Sequence, residues 1–338
     1  MRHWQQSSQR MLAVAAVALA VCIVLARVAA AGPPGHTVRV GFLGNIAPTF
    51  DPAANPDQRE FVEALRELGY TLGRDVVVEY KSAQGDVKMW PQLAAELVSS
   101  KPDMLVTQGA GPTLAAAKAT KTIPIVTVGA YDVVDTGLVA SLARPGANIT
   151  GLAINGAEIA AKRVQLLRDA VPRLSRVAVL WNATLPGMAL SFQNIDKASP
   201  QLGVTIQSVR VSGSDEFDQA FVAIEGGHPD GMVVLFGPLR GDDLPRIVEF
   251  VNQHKIPTIF EIGRGVRGGG LMEFGANSLP MFRRAAVYVD KIANGADPAT
   301  LPVEEPSQFE IVINLKAAQS MGIEVPHSLL LRADRVIE

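Results

Sequence analysis

The most regular feature of the chain is a series of short apolar runs that do not alternate with polar residues. They are VRVGFLG (38–44), DMLVTQG (103–109), IPIVTVG (123–129), RVAVLWN (176–182), GMVVLFG (231–237) and IPTIFEI (256–262). Unalternated runs rich in Val and Ile predict strands buried on both faces of a parallel sheet. Between them the period changes. In QREFVEALRELGY (58–70), Phe61, Leu65 and Leu68 share one helical face and Gly69 supplies a stop. Strand and helix in alternation predict an α/β fold.

The two halves of this pattern echo each other. RELGYTLGRDVVVEYKSAQGD (66–86) is matched by PQLGVTIQSVRVSGSD (200–215), PDMLVTQGAGP (102–112) by PDGMVVLFGPLR (229–240), and TIPIVTVGA (122–130) by KIPTIFEIG (255–263). Offsets near 130 residues are too long for a solenoid repeat and predict two similar lobes, each a parallel sheet flanked by helices. A strand, an amphipathic helix and a further strand remain after the second copy, so the chain is expected to cross between lobes three times. The crossings fall near 147–154, 271–277 and 308–315, which makes a three-strand hinge. The first lobe is then 37–150 plus 276–305, and the second 151–275 plus 306–338.

Composition changes the picture at the N-terminus. Residues 1–31 combine Arg2 and Arg10, an unbroken apolar stretch over Met11–Ala26 and a small-residue end at Ala29–Ala31. That layout reads as a secretory signal peptide, and the protein is expected in the periplasm. An uncleaved or lipid-anchored leader is the alternative. The only cysteine, Cys22, lies in this segment, so the mature chain has no thiol chemistry. Losing the leader's three arginines takes the formal net charge from −2 to −5. No clustered basic surface is present, which argues against nucleic acid as a partner.

The turn in QGAGP (108–112) sits where a nucleotide-binding protein carries its phosphate loop. The third glycine of a dinucleotide fingerprint is replaced by Leu114, and Asp132 is misplaced for a ribose contact. The turn instead reads as a helix start, with Pro112 at the first helical position and free N–H groups around Gly109–Gly111 and Thr113 that suit a single carboxylate. Ligands of open parallel sheets sit beyond the carboxyl ends of the strands. That rule nominates Gly44, Asn45, Gln108, Gly109, Ala110, Tyr131, Asp132, Asn182, Gly237, Glu261 and Arg264. Tyr131 and Trp181 are the aromatic residues nearest those ends. No hydrolase elbow, zinc helix or calcium loop occurs. No catalytic residue, metal or cofactor is expected.

The segments VASLARPGANITGL (139–152), KRVQLLRDAVPRLSRVAVLWN (162–182), GGLMEFG (269–275), MFRRAAVYVDKI (281–292) and LPVEEPSQFEIVINLKAAQSMGIEVPHSLLLRAD (301–334) resemble the tryptophan/tyrosine-type ABC transporter substrate-binding proteins. The likeness spans the mature chain. It implies a type I periplasmic-binding-protein fold, a ligand held between the lobes, and delivery by a monomeric receptor to an ABC permease and its ATPase. Two positions depart from the resemblance. The family's Gly-Thr-Pro turn is Gly109-Ala110-Gly111-Pro112 here, and arginines stand at 264 and 267 where relatives often carry acids. The expected ligand is a small carboxylate-bearing metabolite, an amino acid or an aromatic or organic acid. A same-fold sensor feeding a kinase or chemoreceptor, and an enzyme on a Rossmann-like scaffold, are the alternatives.

Overall fold

The first apolar run, Val38–Gly44, forms strand β1 with six of its seven positions buried, as a strand covered on both faces requires. The structure, a computed structural model, describes residues 33–45, 47–235, 243–261 and 265–338. The expected signal peptide and two candidate site residues, Gly237 and Arg264, lie outside the described residues. β1 pairs in parallel with β2 (Val76–Ser82) and β3 (Met104–Gln108), and β4 (Ile125–Tyr131) and β5 (Ile149–Ile154) continue the sheet in the order β2-β1-β3-β4-β5.

Helix α1 (Pro56–Glu67) starts where Asn55 accepts from the N–H groups of Asp57 and Gln58, with Pro56 in the first turn. It ends at Gly69, whose φ of +92° lets Gly69 N–H reach Arg66 O and Tyr70 N–H reach Leu65 O. Phe61 and Leu65 are buried against the sheet. Helices α2 (Trp90–Ser99) and α3 (Ala110–Ala119) follow β2 and β3.

The second sheet repeats this plan. Its strands β6 (Arg176–Asn182), β7 (Thr205–Val211), β8 (Gly231–Leu235), β9 (Thr258–Phe260) and β10 (Met272–Ala276) run in the order β7-β6-β8-β9-β10, the same permutation as the first sheet. The sequence echo is therefore a topological repeat, β2 with β7, β3 with β8, β4 with β9. Helices α4 (Gly156–Ala170), α5 (Pro186–Leu202), α6 (Phe217–Gly227) and α7 (Asp243–Gln253) flank it. Strands β11 (Phe309–Asn314) and β12 (Arg335–Ile337) extend the β10 edge, and β10–β11 is the one antiparallel pairing among the described residues.

Between β10 and β11 the chain leaves the second sheet to build α8 (Ser278–Ala293), which packs on the first. Phe282 stacks on Phe42 at 6.3 Å between ring centroids, and Tyr288 and Val289 are buried in the same cluster as Val40 and Phe61. The chain crosses between sheets after β5, after β10, and after Glu304. At the first two crossings an asparagine caps the next helix: Asn155 Oδ1 accepts from Glu158 N–H at 3.2 Å, and Asn277 Oδ1 from Leu279 N–H at 3.0 Å. At the third, the segment around Glu304 bridges β5 at Leu152 before leaving. β5 itself runs to Ile154, four residues past the expected change of lobe at 150.

Candidate functional site

The carboxyl ends of β1, β3 and β4 look across a cleft at the second sheet. Two connected cavities fill it and share Trp90, Ala110, Gly111, Leu185 and Gly187 as walls. The outer one, about 640 Å³, lies between α3 and the loops around Asn182 and Ser212. The inner one, about 240 Å³, lies toward the hinge and is lined by both lobes, from Asn45, Gln108 and Tyr131 to Met188, Glu261 and Glu273.

The turn at 109–113 is built differently from its expectation in three respects. Gly109, at φ +88° and ψ 176°, is the residue before the helix; Ala110 is the first helical residue, so Pro112 is third rather than first. Gly109 N–H is not free, because it donates to Val128 O at 2.8 Å, and Thr113 N–H is held by Gly109 O. The Thr113 hydroxyl is also spent inside the lobe, 2.8 Å from Thr107 Oγ1 and 2.7 Å from Thr127 Oγ1, on groups that are fully buried. Ala110 and Gly111 remain. Their N–H groups precede any intrahelical acceptor, and both residues line both cavities.

Asn45, Gln108, Gly109, Ala110, Tyr131 and Glu261 come together around the inner cavity, and Asn182 reaches the outer one. Asn45 Nδ2 donates to Gln108 O at 2.6 Å, which leaves its Oδ1 buried without a partner. Gly44 does not reach the cleft: any side chain there would collide with the Tyr80 ring, so glycine serves the packing of β1 on β2. Asp132 does not line either cavity. Its φ of +51° turns it toward the start of α4, where a Cβ on Gly156 would lie 2.9 Å from Asp132 Oδ2 and 3.0 Å from Ser191 Oγ. Trp181 is lobe core, stacked on Phe192 at 5.0 Å and donating to Ser208 Oγ. Asp243 is the first residue of α7 and lines the outer cavity.

Four residues of the site were missed in the sequence. Trp90 lies at the start of α2 and walls both cavities, its indole N–H buried and unpartnered. Glu273 and Glu310 sit within β10 and β11 and line the inner cavity. Arg163 of α4 is 1% exposed and donates through Nε to Phe274 O at 2.9 Å, behind the cavity wall. The Tyr131 hydroxyl is pushed well above its ordinary range, first by burial and then by Glu261, while Arg163 opposes the shift. Glu273 is pushed up to about 7 by burial, against the pull of Arg267, Arg335 and Arg163 and with the help of Glu310.

Two Rossmann-like lobes, a three-segment hinge and a cleft walled from both sides define a ligand-binding protein of the type I periplasmic-binding class. The sequence model of the family described as "ABC transporter substrate binding protein" matches residues 47–337, and the chain belongs to that family. It is similar to a tyrosine-binding protein of Clostridioides difficile (strain R20291), 25% identical over 290 residues, covering 84% of this chain and 82% of the relative. Among solved structures it resembles a conserved domain protein of Vibrio cholerae (TM-score 0.81, 25% identity, 89% of this chain and 100% of the other). It also resembles an ABC domain in complex with L-Trp from Streptococcus pneumonia (TM-score 0.80, 23% identity, 89% and 100%). A ligand-free, open substrate binding protein from Clostridium difficile superposes less closely (TM-score 0.64, 23% identity, 89% and 99%). Among the described residues no helix is long and apolar enough to cross a membrane.

Proposed function

We propose that this protein is a periplasmic solute receptor that closes on a small carboxylate-bearing metabolite, an amino acid or an aromatic or organic acid. It works as a monomer, does no chemistry on the ligand and passes it to an ABC permease and its ATPase. The observation that carries this reading is the inner cavity, walled by both lobes, with the helix start at Ala110 and Gly111 on one side. Two N–H groups without intrahelical acceptors, at the positive end of a helix dipole, suit a carboxylate. The L-Trp complex and the tyrosine-binding relative support an amino acid within that class. A thermal-shift screen of the mature protein against amino acids, aromatic acids, dicarboxylates and sugars tests it. A ligand present at about 100 times its Kd stabilises by about 2.7 kcal/mol, an easily read shift. Stabilisation by an uncharged sugar alone would refute the carboxylate reading.

A further inference from the structure

Tyr131 belongs to one lobe by its backbone and to the other by its side chain. It is the last residue of β4 and pairs with Ile154 of β5, the edge strand of the first sheet. Its side chain, however, lies against two helices of the second lobe. A Cβ on Gly156, the first residue of α4, would fall 2.4 Å from Tyr131 Cδ1. A Cβ on Gly187, the second residue of α5, would fall 3.0 Å from Tyr131 Cβ. Any side chain at Gly156 would collide with the ring, so the seat exists because glycine lines it. The ring packs on the cluster that holds Phe42 and Phe282 and also on the one that holds Val179 and Met188.

The far end of the ring also meets the second lobe. The hydroxyl lies beside Glu261, just past β9, and interacts with it and with Arg163 of α4. Both partners are buried, and Arg163 is fixed by its Nε bond to Phe274 O on β10 at 2.9 Å. The groups of the seat stand differently toward the hinge. Gly156 follows the first crossing directly and moves little when the lobes rotate about it. Gly187 and Glu261 lie farther along the chain from any crossing, and a rotation that opens the cleft carries them away from Tyr131.

We infer that Tyr131 is an inter-lobe latch, a first-lobe side chain seated in the second lobe that holds the closed arrangement before any ligand arrives. The inference rests on closure about the hinge and not on the chemistry of the ligand. Because the latch favours closure by itself, the ligand-free protein divides between open and closed forms in a ratio that Tyr131 sets. A ligand that binds the closed form has an apparent affinity scaled by the fraction already closed. Altering the seat at Gly156, which lines neither cavity, therefore lowers affinity without removing a wall of the cleft.

The test needs no ligand. Spin labels at Lys88→Cys and Asp215→Cys, exposed positions of the outer cavity with one in each lobe, report the gap between the lobes. The mature chain has no other cysteine, since Cys22 lies in the expected signal peptide. Pulsed electron resonance on the ligand-free protein should show a short-distance component, that of the closed arrangement. Tyr131→Ala should lower the closed-to-open ratio by at least about tenfold. Gly156→Ala should do the same, because it denies the ring its seat from the second lobe. Tyr131→Phe keeps the packing, and so guards against a variant that fails to fold; loss of its hydroxyl should cost about threefold or more. A ligand-free protein with no short component overturns the latch. So does an unchanged ratio in both Tyr131→Phe and Gly156→Ala. Either result leaves the carboxylate reading standing, because the thermal-shift screen tests that separately.

Discussion

The Tyr70 hydroxyl donates to Asp290 Oδ1 at 3.0 Å across 220 residues of chain, tying the turn after α1 to the helix that returns from the second lobe. Both residues are buried, and Asn294 Nδ2 completes the arrangement on Asp290 at 3.0 Å. Burial and the Asp290 carboxylate hold the phenol far above its ordinary range, so it remains a donor at any working pH. Tyr70→Phe leaves Asp290 with one side-chain donor fewer and should destabilise by about 1–2 kcal/mol, read as a lower urea midpoint. Neither residue lines the cleft, so ligand affinity should stay the same.

Gly111 is where α3 meets the indole of Trp90, and any Cβ there would fall inside that ring. Gly111→Ala is expected to push Trp90 off its position on the wall shared by both cavities. Overpacking should cost about 1–3 kcal/mol. The affinity loss for a confirmed ligand should exceed that of Ala110→Ser, which adds one hydroxyl to a residue of the same wall. Equal effects would take Trp90 out of the binding wall.

The hydroxyls of Thr107, Thr113 and Thr127 meet in the core of the first lobe beneath the candidate anion site. Thr113→Val keeps the shape and removes the shared partner of the other two. The expected cost is about 1–3 kcal/mol of unfolding free energy, visible in chemical denaturation. Because the hydroxyl faces inward, the direct contribution to ligand binding should be nil.

Glu273 makes stability depend on pH in a definite direction. Its folded value, about 7, is above the ordinary 4.5, so the folded state binds the proton more tightly than the unfolded chain does. The contribution is fully present below about pH 4.5 and is lost as pH rises through 7, on the order of 3 kcal/mol in all. Glu273→Gln should remove this slope: the variant gains on the wild type at pH 8 and not at pH 4. Of the charged groups around it, Arg267, Arg335 and Arg163 pull its value down, and Glu310 adds to the upward push.

Residues from both lobes line the inner cavity, so a ligand that touches both walls has differential affinity for the closed arrangement. Small-angle scattering should show a smaller radius of gyration at saturating ligand than without it. An unchanged radius with a tight ligand would count against closure about the hinge.

The strands, the repeated plan and the three crossings were legible because burial on both faces leaves an unalternated apolar signature and because the second half restates the first. Asn45, Gln108–Ala110, Tyr131 and Glu261, nominated by the strand-end rule, line the inner cavity, since position at a strand's carboxyl end is a topological property. Gly44 and Asp132 line neither cavity for local reasons, a tyrosine ring packed on one and a left-handed backbone at the other. Glu273, Glu310 and Arg163 were illegible. Each sits inside a regular element where a charged residue reads as solvent-facing, and only the juxtaposition of β10, β11 and α4 at the hinge makes them interior. Trp90 opens a helix and reads as core, which it also is.

The return of α8 to the first sheet also sets an order of events during synthesis. Val40, Phe42, Val106 and Val128 belong to a face that stays incompletely covered until Phe282, Tyr288 and Val289 have been made. A nascent first lobe therefore emerges with an oily face and no means of hiding it for well over a hundred residues of translation. Contacts so distant in sequence close slowly. The ribosome-bound chain should accordingly be a client for holding chaperones, and acquire its resistance to protease late and for both lobes together.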